Sequence, residues 1–143
     1  MSDRALRLAV AALALAGTAI AGYLTYAWYG GDDVGLCLTG GGCEAVQDSR
    51  YAELAGIPVS VLGLAGYTSV LVLVALDGLR SRVLAAGIAA GGLAFSLYLL
   101  VIQLVVIDAV CSWCVGNDVV IALLAVAAAL RLRAESPAGG RFR

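Results

Sequence analysis

The chain has 143 residues, 62% of them hydrophobic and 13% charged, with a mean hydropathy of +0.98. A soluble domain with so few charges cannot cover its surface with polar groups, so the composition excludes a water-soluble fold and implies a membrane protein. Nine Arg, no Lys and ten acids leave a net charge of −1, too little for a nucleic-acid binder, and the absence of His removes imidazole bases, His metal ligands and Cys-His pairs.

Crossing about 30 Å of hydrocarbon at about 1.5 Å per residue takes roughly 20 mostly apolar residues. Four stretches qualify, at residues 8–29, 58–76, 83–107 and 114–130. Only the last carries a charge, Asp118, close to its start. Backbone groups in lipid must be bonded within their own segment, and no period-two alternation suggests a barrel, so the predicted fold is all-α, a bundle of four transmembrane helices.

The first span follows Arg4 and Arg7 and ends in Tyr23, Tyr26, Trp28 and Tyr29, an aromatic interface belt. Ala19-Ile20-Ala21 resembles a signal-peptide cleavage site, but the apolar run is longer than a signal core of about 7 to 15 residues, so an uncleaved anchor is expected. An external loop, residues 30–57, contains Cys37 and Cys43, separated by five residues on a glycine-rich tether that leaves one sulfur mobile relative to the other. Residues 44–54 are helix-permissive and read equally as a half-helix capping the bundle or as a solvated connector. Pro58 suits the first turn of the second span.

In the second span Ser60, Gly63 and Tyr67 share a face, as Gly92, Ser96 and Gln103 do in the third, where Gly87 and Gly91 form a G-x-x-x-G close-packing signal. Cys111-Ser112-Trp113-Cys114 stands at the mouth of the fourth span, where a helix N-terminus stabilises thiolate over thiol. Residues 1–133 thus form one membrane domain, and 134–143 read as a short disordered tail, so any thioredoxin-type domain is expected on a separate chain. Eight of the nine Arg fall on one side of the four spans, with only Arg50 opposite among Asp32, Asp33, Glu44, Asp48 and Glu53. The positive-inside rule then places both termini in the cytoplasm and both cysteine pairs on the exterior or periplasmic face of a bacterial cell membrane, where disulfides persist.

Two close cysteine pairs point to thiol redox chemistry or to a four-thiolate zinc site. C-x5-C departs from usual zinc spacing and a tethered pair suits a shuttle, so no metal is assigned and Cys37, Cys43, Cys111 and Cys114 are the candidate catalytic residues. The bland alternative is a membrane protein with structural disulfides. Polar side chains in the spans suit helix contacts or an apolar pocket for a lipid-soluble electron carrier. Asp108 and Asp118, the carboxylates flanking the C-x-x-C, either mark the outer interface or handle protons.

Cys37, Cys43, the stretch from Ser49-Arg50-Tyr51 through Gly56-Ile57-Pro58-Val59-Ser60-Val61-Leu62-Gly63, and Cys111-Ser112-Trp113-Cys114 resemble the vitamin K epoxide reductase family, specifically its bacterial members, over about residues 8–130. DsbB-type quinone oxidases also have four helices and two cysteine pairs, but carry the C-x-x-C in the first external loop. The resemblance implies a DsbB-like thiol:quinone oxidoreductase. A DsbA-like thioredoxin-fold partner would pass electrons to Cys37 by mixed disulfide, Cys43 would exchange with Cys111, and Cys114 would deliver them to menaquinone or ubiquinone. It also implies Ser49, Cys114, Gly63 and Tyr67 as quinone-site residues. Asp118 stands where the animal enzymes carry a tyrosine, and Gly63 where they carry an asparagine. Quinone-epoxide reduction is the alternative activity within the family.

Overall fold

The computed structural model describes residues 2–30 and 49–135. Helix α1 (Asp3–Gly30) is followed by a 3-10 turn (Arg50–Ala52), the strands β1 (Glu53–Leu54) and β2 (Ile57–Pro58), and helix α2 (Val59–Leu76). Helix α3 (Leu79–Val101) continues into a π-helical turn (Ile102–Ile107), and α4 (Ser112–Glu135) completes the described chain. Four helical segments are long and apolar enough to cross a membrane, so this is a multi-pass membrane protein built as an all-α bundle. Cys37, Cys43, most of the external loop and the tail from residue 136 lie outside the described residues.

The helices form a ring in which α1 packs on α2 and α4, and α3 on the same two. In lipid the apolar effect does not draw helices together, so close contact between small side chains has to do so. On α1, Val10, Ala14, Gly17, Ala21 and Leu24 are buried at alternating steps of four and three, and on α4, Ile121, Leu124, Ala128 and Arg131 repeat that spacing. This is the seam of helices packed at a shallow angle. Larger apolar residues, among them Leu15, Val72, Leu97, Val105 and Val126, face outward toward lipid. At Gly17 a Cβ would overlap the ring of Tyr67, so only glycine lets α2 bring that ring against α1.

Three sequence expectations are corrected. Gly87 and Gly91 are exposed, and a Cβ added at either would meet nothing within 4 Å, so the G-x-x-x-G faces away from the bundle. Ala85, Ala89 and Ser96 choose the inner face of α3, and at about 100° per residue positions two further on lie about 200° round the helix. In the capping segment, the described residues form a 3-10 turn and a two-stranded antiparallel hairpin, not a half-helix. Ala55 and Gly56, at φ of 53° and 82°, make the two-residue turn, and Pro58 disfavours helix at Ile57. Pro58 accordingly precedes α2 as its N-cap and is not part of its first turn.

The end of the bundle remote from the C-x-x-C is closed by ions from every helix or helix junction. Arg131 of α4, 4% exposed, reaches Asp77 at 2.6 Å and Asp3 at 3.4 Å, while Arg82 of α3 holds Asp3 at 3.0 Å and Asp77 at 3.2 Å. Arg7 of α1 pairs with Asp77 at 3.5 Å and donates to the Val74 carbonyl, an otherwise orphaned acceptor near the end of α2. Asp77 reaches all three cations because it ends α2 in the left-handed conformation, at φ 43°. Its burial pulls the carboxyl upward, but Arg131, Arg82 and Arg7 outweigh that and hold it below the usual carboxylate range.

Asp77→Ala should therefore lower stability by about 2 kcal/mol, the scale of hydrogen bonds to charged groups, read as a lower Tm of the detergent-solubilised protein. Because the folded carboxyl titrates below the unfolded one, its contribution is complete above about pH 4 and fades as pH falls through the folded value. Wild type should lose Tm on acidification below that point more steeply than Asp77→Ala.

Candidate functional site

The C-x-x-C is built around the start of α4. Cys111 is the N-cap: its carbonyl accepts the Val115 N–H at 2.9 Å, and its Sγ accepts the Cys114 N–H at 3.3 Å. A sulfur thus occupies the place of the usual Ser or Asp cap, at the positive end of the α4 dipole. Cys111 is fully buried, packed with Ile107, Trp113 and Cys114, and the Trp113 ring lies 4.8 Å from that of Tyr23 on α1.

Gln103 holds this motif from the preceding turn. It is 2% exposed, and its Oε1 accepts the backbone N–H of Cys111 at 2.9 Å. Its own carbonyl accepts the N–H groups of Asp108 and, at 3.1 Å, Ala109, so the chain reverses around this one residue. The wider π turn and the left-handed Asp108, at φ 53°, bring the amide under the cysteines.

Beside the motif, at the same end of the bundle, a cavity of about 390 Å³ opens among all four helices, with Ser49, Tyr51, Ala52 and Leu54 of the connector along its rim. That volume is within the range of small-molecule sites. Its wall is mainly apolar, with a few polar groups. Tyr67 Oη donates to Asn117 Oδ1 at 2.7 Å, and Ser96 Oγ donates to Asp118 Oδ1. Ser60 Oγ and Asp118 Oδ2 are buried without a partner among the described residues. Such atoms are costly unless a ligand or water completes them.

Of the residues singled out from sequence, Ser49, Gly63, Tyr67 and Cys114 all line this cavity, as do Ser60, Gly92, Ser96, Gln103 and Asp118. Cys111 lies behind Cys114 and is not among the lining residues, so the two sulfurs of the motif have different surroundings. Cys37 and Cys43 are outside the described residues. The two flanking acids separate: Asp108 is exposed at the chain reversal, and Asp118 faces the cavity instead of the interface. Sequence reasoning missed Asn117 and the bond from Gln103 to Cys111. Asn117, three residues after Cys114 and thus on the same helix face, was a legible signal for the first. The π turn that aims Gln103 had none.

The sequence matches the model of the vitamin K epoxide reductase family over residues 8–129, a range that takes in the C-x-x-C and all or most of each helix.

Replacing Gln103 with Leu leaves the buried Cys111 amide without its acceptor. The expected cost is about 1–3 kcal/mol, read as a lower Tm. Alkylation of Cys111 in the reduced protein, followed by mass spectrometry, should also quicken; an unchanged rate would mean that this bond does not hold the cysteine in place.

Proposed function

The chain belongs to the vitamin K epoxide reductase family, and from that premise we propose that it reoxidises a DsbA-like, thioredoxin-fold partner with a quinone as acceptor, driving disulfide formation in exported proteins. Membership makes it a membrane oxidoreductase of thiols and quinones, with thiol–disulfide redox activity. The finer reading rests on one observation: Cys114 stands in the wall of an apolar, membrane-embedded cavity while Cys111 stands behind it.

In this reading Cys37 receives electrons from the partner by mixed disulfide, and Cys43 exchanges with Cys111. A thiolate must attack each disulfide: attack of Cys43 on Cys111 releases Cys114 as the thiolate, and when Cys37 then closes on Cys43, the amide of Cys114 and the N-terminus of α4 support the negative charge left on Cys111. Cys114 is then the sulfur exposed to the cavity. A quinone bound there supplies a two-electron acceptor. The residues present fit its headgroup: apolar walls suit the ring, and the unpartnered Ser60 Oγ and Asp118 Oδ2 offer polar contacts for its oxygens. Ser49, Gly63 and Tyr67 belong to the same wall, with Gly63 leaving room beside Ala21 and Tyr67 orienting Asn117. The arginine-rich end lies in the cytoplasm and both cysteine pairs on the outer face of a bacterial membrane, with residues 1–133 acting as one unit.

The test is anaerobic. Purified protein in detergent receives a reduced thioredoxin-fold donor and a ubiquinone or menaquinone analogue, and quinone absorbance is followed for wild type and Cys114→Ala. Wild type should reduce quinone and the variant should lose essentially all turnover. If wild type leaves every analogue unreduced while its cysteines still exchange with the donor, the quinone reading fails.

A further inference from the structure

The cavity's unfilled hydrogen-bonding capacity is lopsided for the chemistry proposed. Quinone oxygens only accept hydrogen bonds, whereas quinol oxygens also donate, so a site that turns one into the other needs a group able to do both. Tyr67 is committed to Asn117, and Ser96 to Asp118 Oδ1. Three buried polar atoms have no partner among the described residues; Trp113 is not in the cavity wall, which leaves Ser60 Oγ on α2 and Asp118 Oδ2 on α4 open to a ligand there. Of these, only a carboxyl exchanges a proton readily. Asp118 is also four residues after Cys114 on α4, one helical turn away on the same face, and both line the cavity.

Resting on the function proposed above, we propose that Asp118 is the proton donor to the quinone, the general acid paired with Cys114 as electron donor. The balance is as follows. Two S–H bonds, of Cys111 and Cys114, break as the S–S bond forms, releasing two electrons and two protons, and two O–H bonds form on the quinone. Asp118 in its carboxyl form gives its proton to one quinone oxygen and, as carboxylate, takes up a proton released by the thiols, so that it returns to its starting state. Ser96 keeps Oδ1 occupied, which leaves Oδ2 to face the ligand. Ser60 supplies the other contact, and no lining residue among those described is cationic.

Among the described residues, the titratable groups facing the cavity are Tyr51 of the connector, Tyr67 of α2, and Cys114 and Asp118 of α4, with none from α1 or α3. Cys114 favours a rate that rises with pH, because the thiolate is the reactive form. A required carboxyl makes the rate fall again at higher pH. Wild type should therefore give a bell-shaped profile and Asp118→Asn only its rising limb.

The experiment uses the full chain in lipid nanodiscs, reduced by dithiothreitol, with short-tailed ubiquinone and menaquinone analogues as probes. Asp118→Asn should slow single-turnover quinone reduction from the pre-reduced Cys111–Cys114 pair by about 100-fold, the usual scale of general acid catalysis. Asp118→Glu should recover part of the loss. Infrared difference spectra provide a readout independent of turnover: wild type should show a carboxylic C=O band that moves when quinone is added and is absent in Asp118→Asn. Wild-type rate and pH profile in Asp118→Asn, or a carboxyl band indifferent to quinone, overturns the proposal. Should Asp118→Asn not fold, the wild-type pH profile and the band shift in Asp118→Glu decide instead. Wild type that exchanges thiols but reduces no quinone defeats the functional reading and this proposal together, whereas an active wild type with an equally active Asp118→Asn defeats this proposal alone.

Discussion

Inside a hydrocarbon slab a polar atom has no water to turn to, so each one must find its partner within the bundle or wait for a ligand. The helices satisfy their backbones internally; Thr18, Thr25, Thr68 and Ser69 bond back to a carbonyl of their own helix, and the other polar side chains of the spans divide into two kinds. Tyr67 with Asn117, Ser96 with Asp118, and Gln103 with the Cys111 amide are paired across elements and tie them together. Among the described residues Ser60 Oγ, Asp118 Oδ2 and Trp113 Nε1 are left over, and the first two belong to residues that line the cavity. The same constraint that holds the bundle together therefore leaves two of its three open polar atoms on residues of the cavity wall.

The two ends of the bundle answer this constraint differently. At the arginine-rich end three arginines and two aspartates form one ion-pair network that joins the helices, with Asp77 turned into a left-handed cap so that three cations share it. This ties the helices where no chemistry is needed. At the cysteine end the seam opens into the cavity, and local order comes from a π turn, an unusual sulfur N-cap and a small hairpin. A rigid end and a hollow end are what a membrane redox site needs, because the reactive sulfur must be fixed while the lipid-soluble partner comes and goes.

Much of the fold was legible in the residues. Four apolar runs of spanning length, separated by the loop 30–57, by the short turn at Asp77-Gly78 and by the segment before Cys111, leave little freedom in lipid except four antiparallel helices. The helical faces carrying Ser60, Gly63, Tyr67 and Gly92, Ser96, Gln103 followed from the 3.6-residue period alone. What misled was local: Gly87 and Gly91 carry a packing motif, yet a motif does not say which way a helix is rotated, and the alanines of α3 won that choice. Residues 50–58 lacked an Asn-Gly hairpin signature, and Ala55 adopts a positive φ that its type does not advertise.

The amino-acid sequence by itself determined that this is a multi-pass membrane protein, that its reactive groups are cysteines, and that one pair opens a helix. Those properties depend on composition and on spacing along one element, which the chain carries in linear form. Only the tertiary structure decided that Cys111 lies behind Cys114 and out of the cavity wall, that Asp118 points inward while Asp108 does not, and that Gln103 carries the Cys111 amide. Each of these depends on the rotation of one helix against another and on a π turn that shifts register. Rotation is set by how small residues such as Gly17 and Gly92 let neighbours approach, a three-dimensional fit that no single stretch of sequence contains.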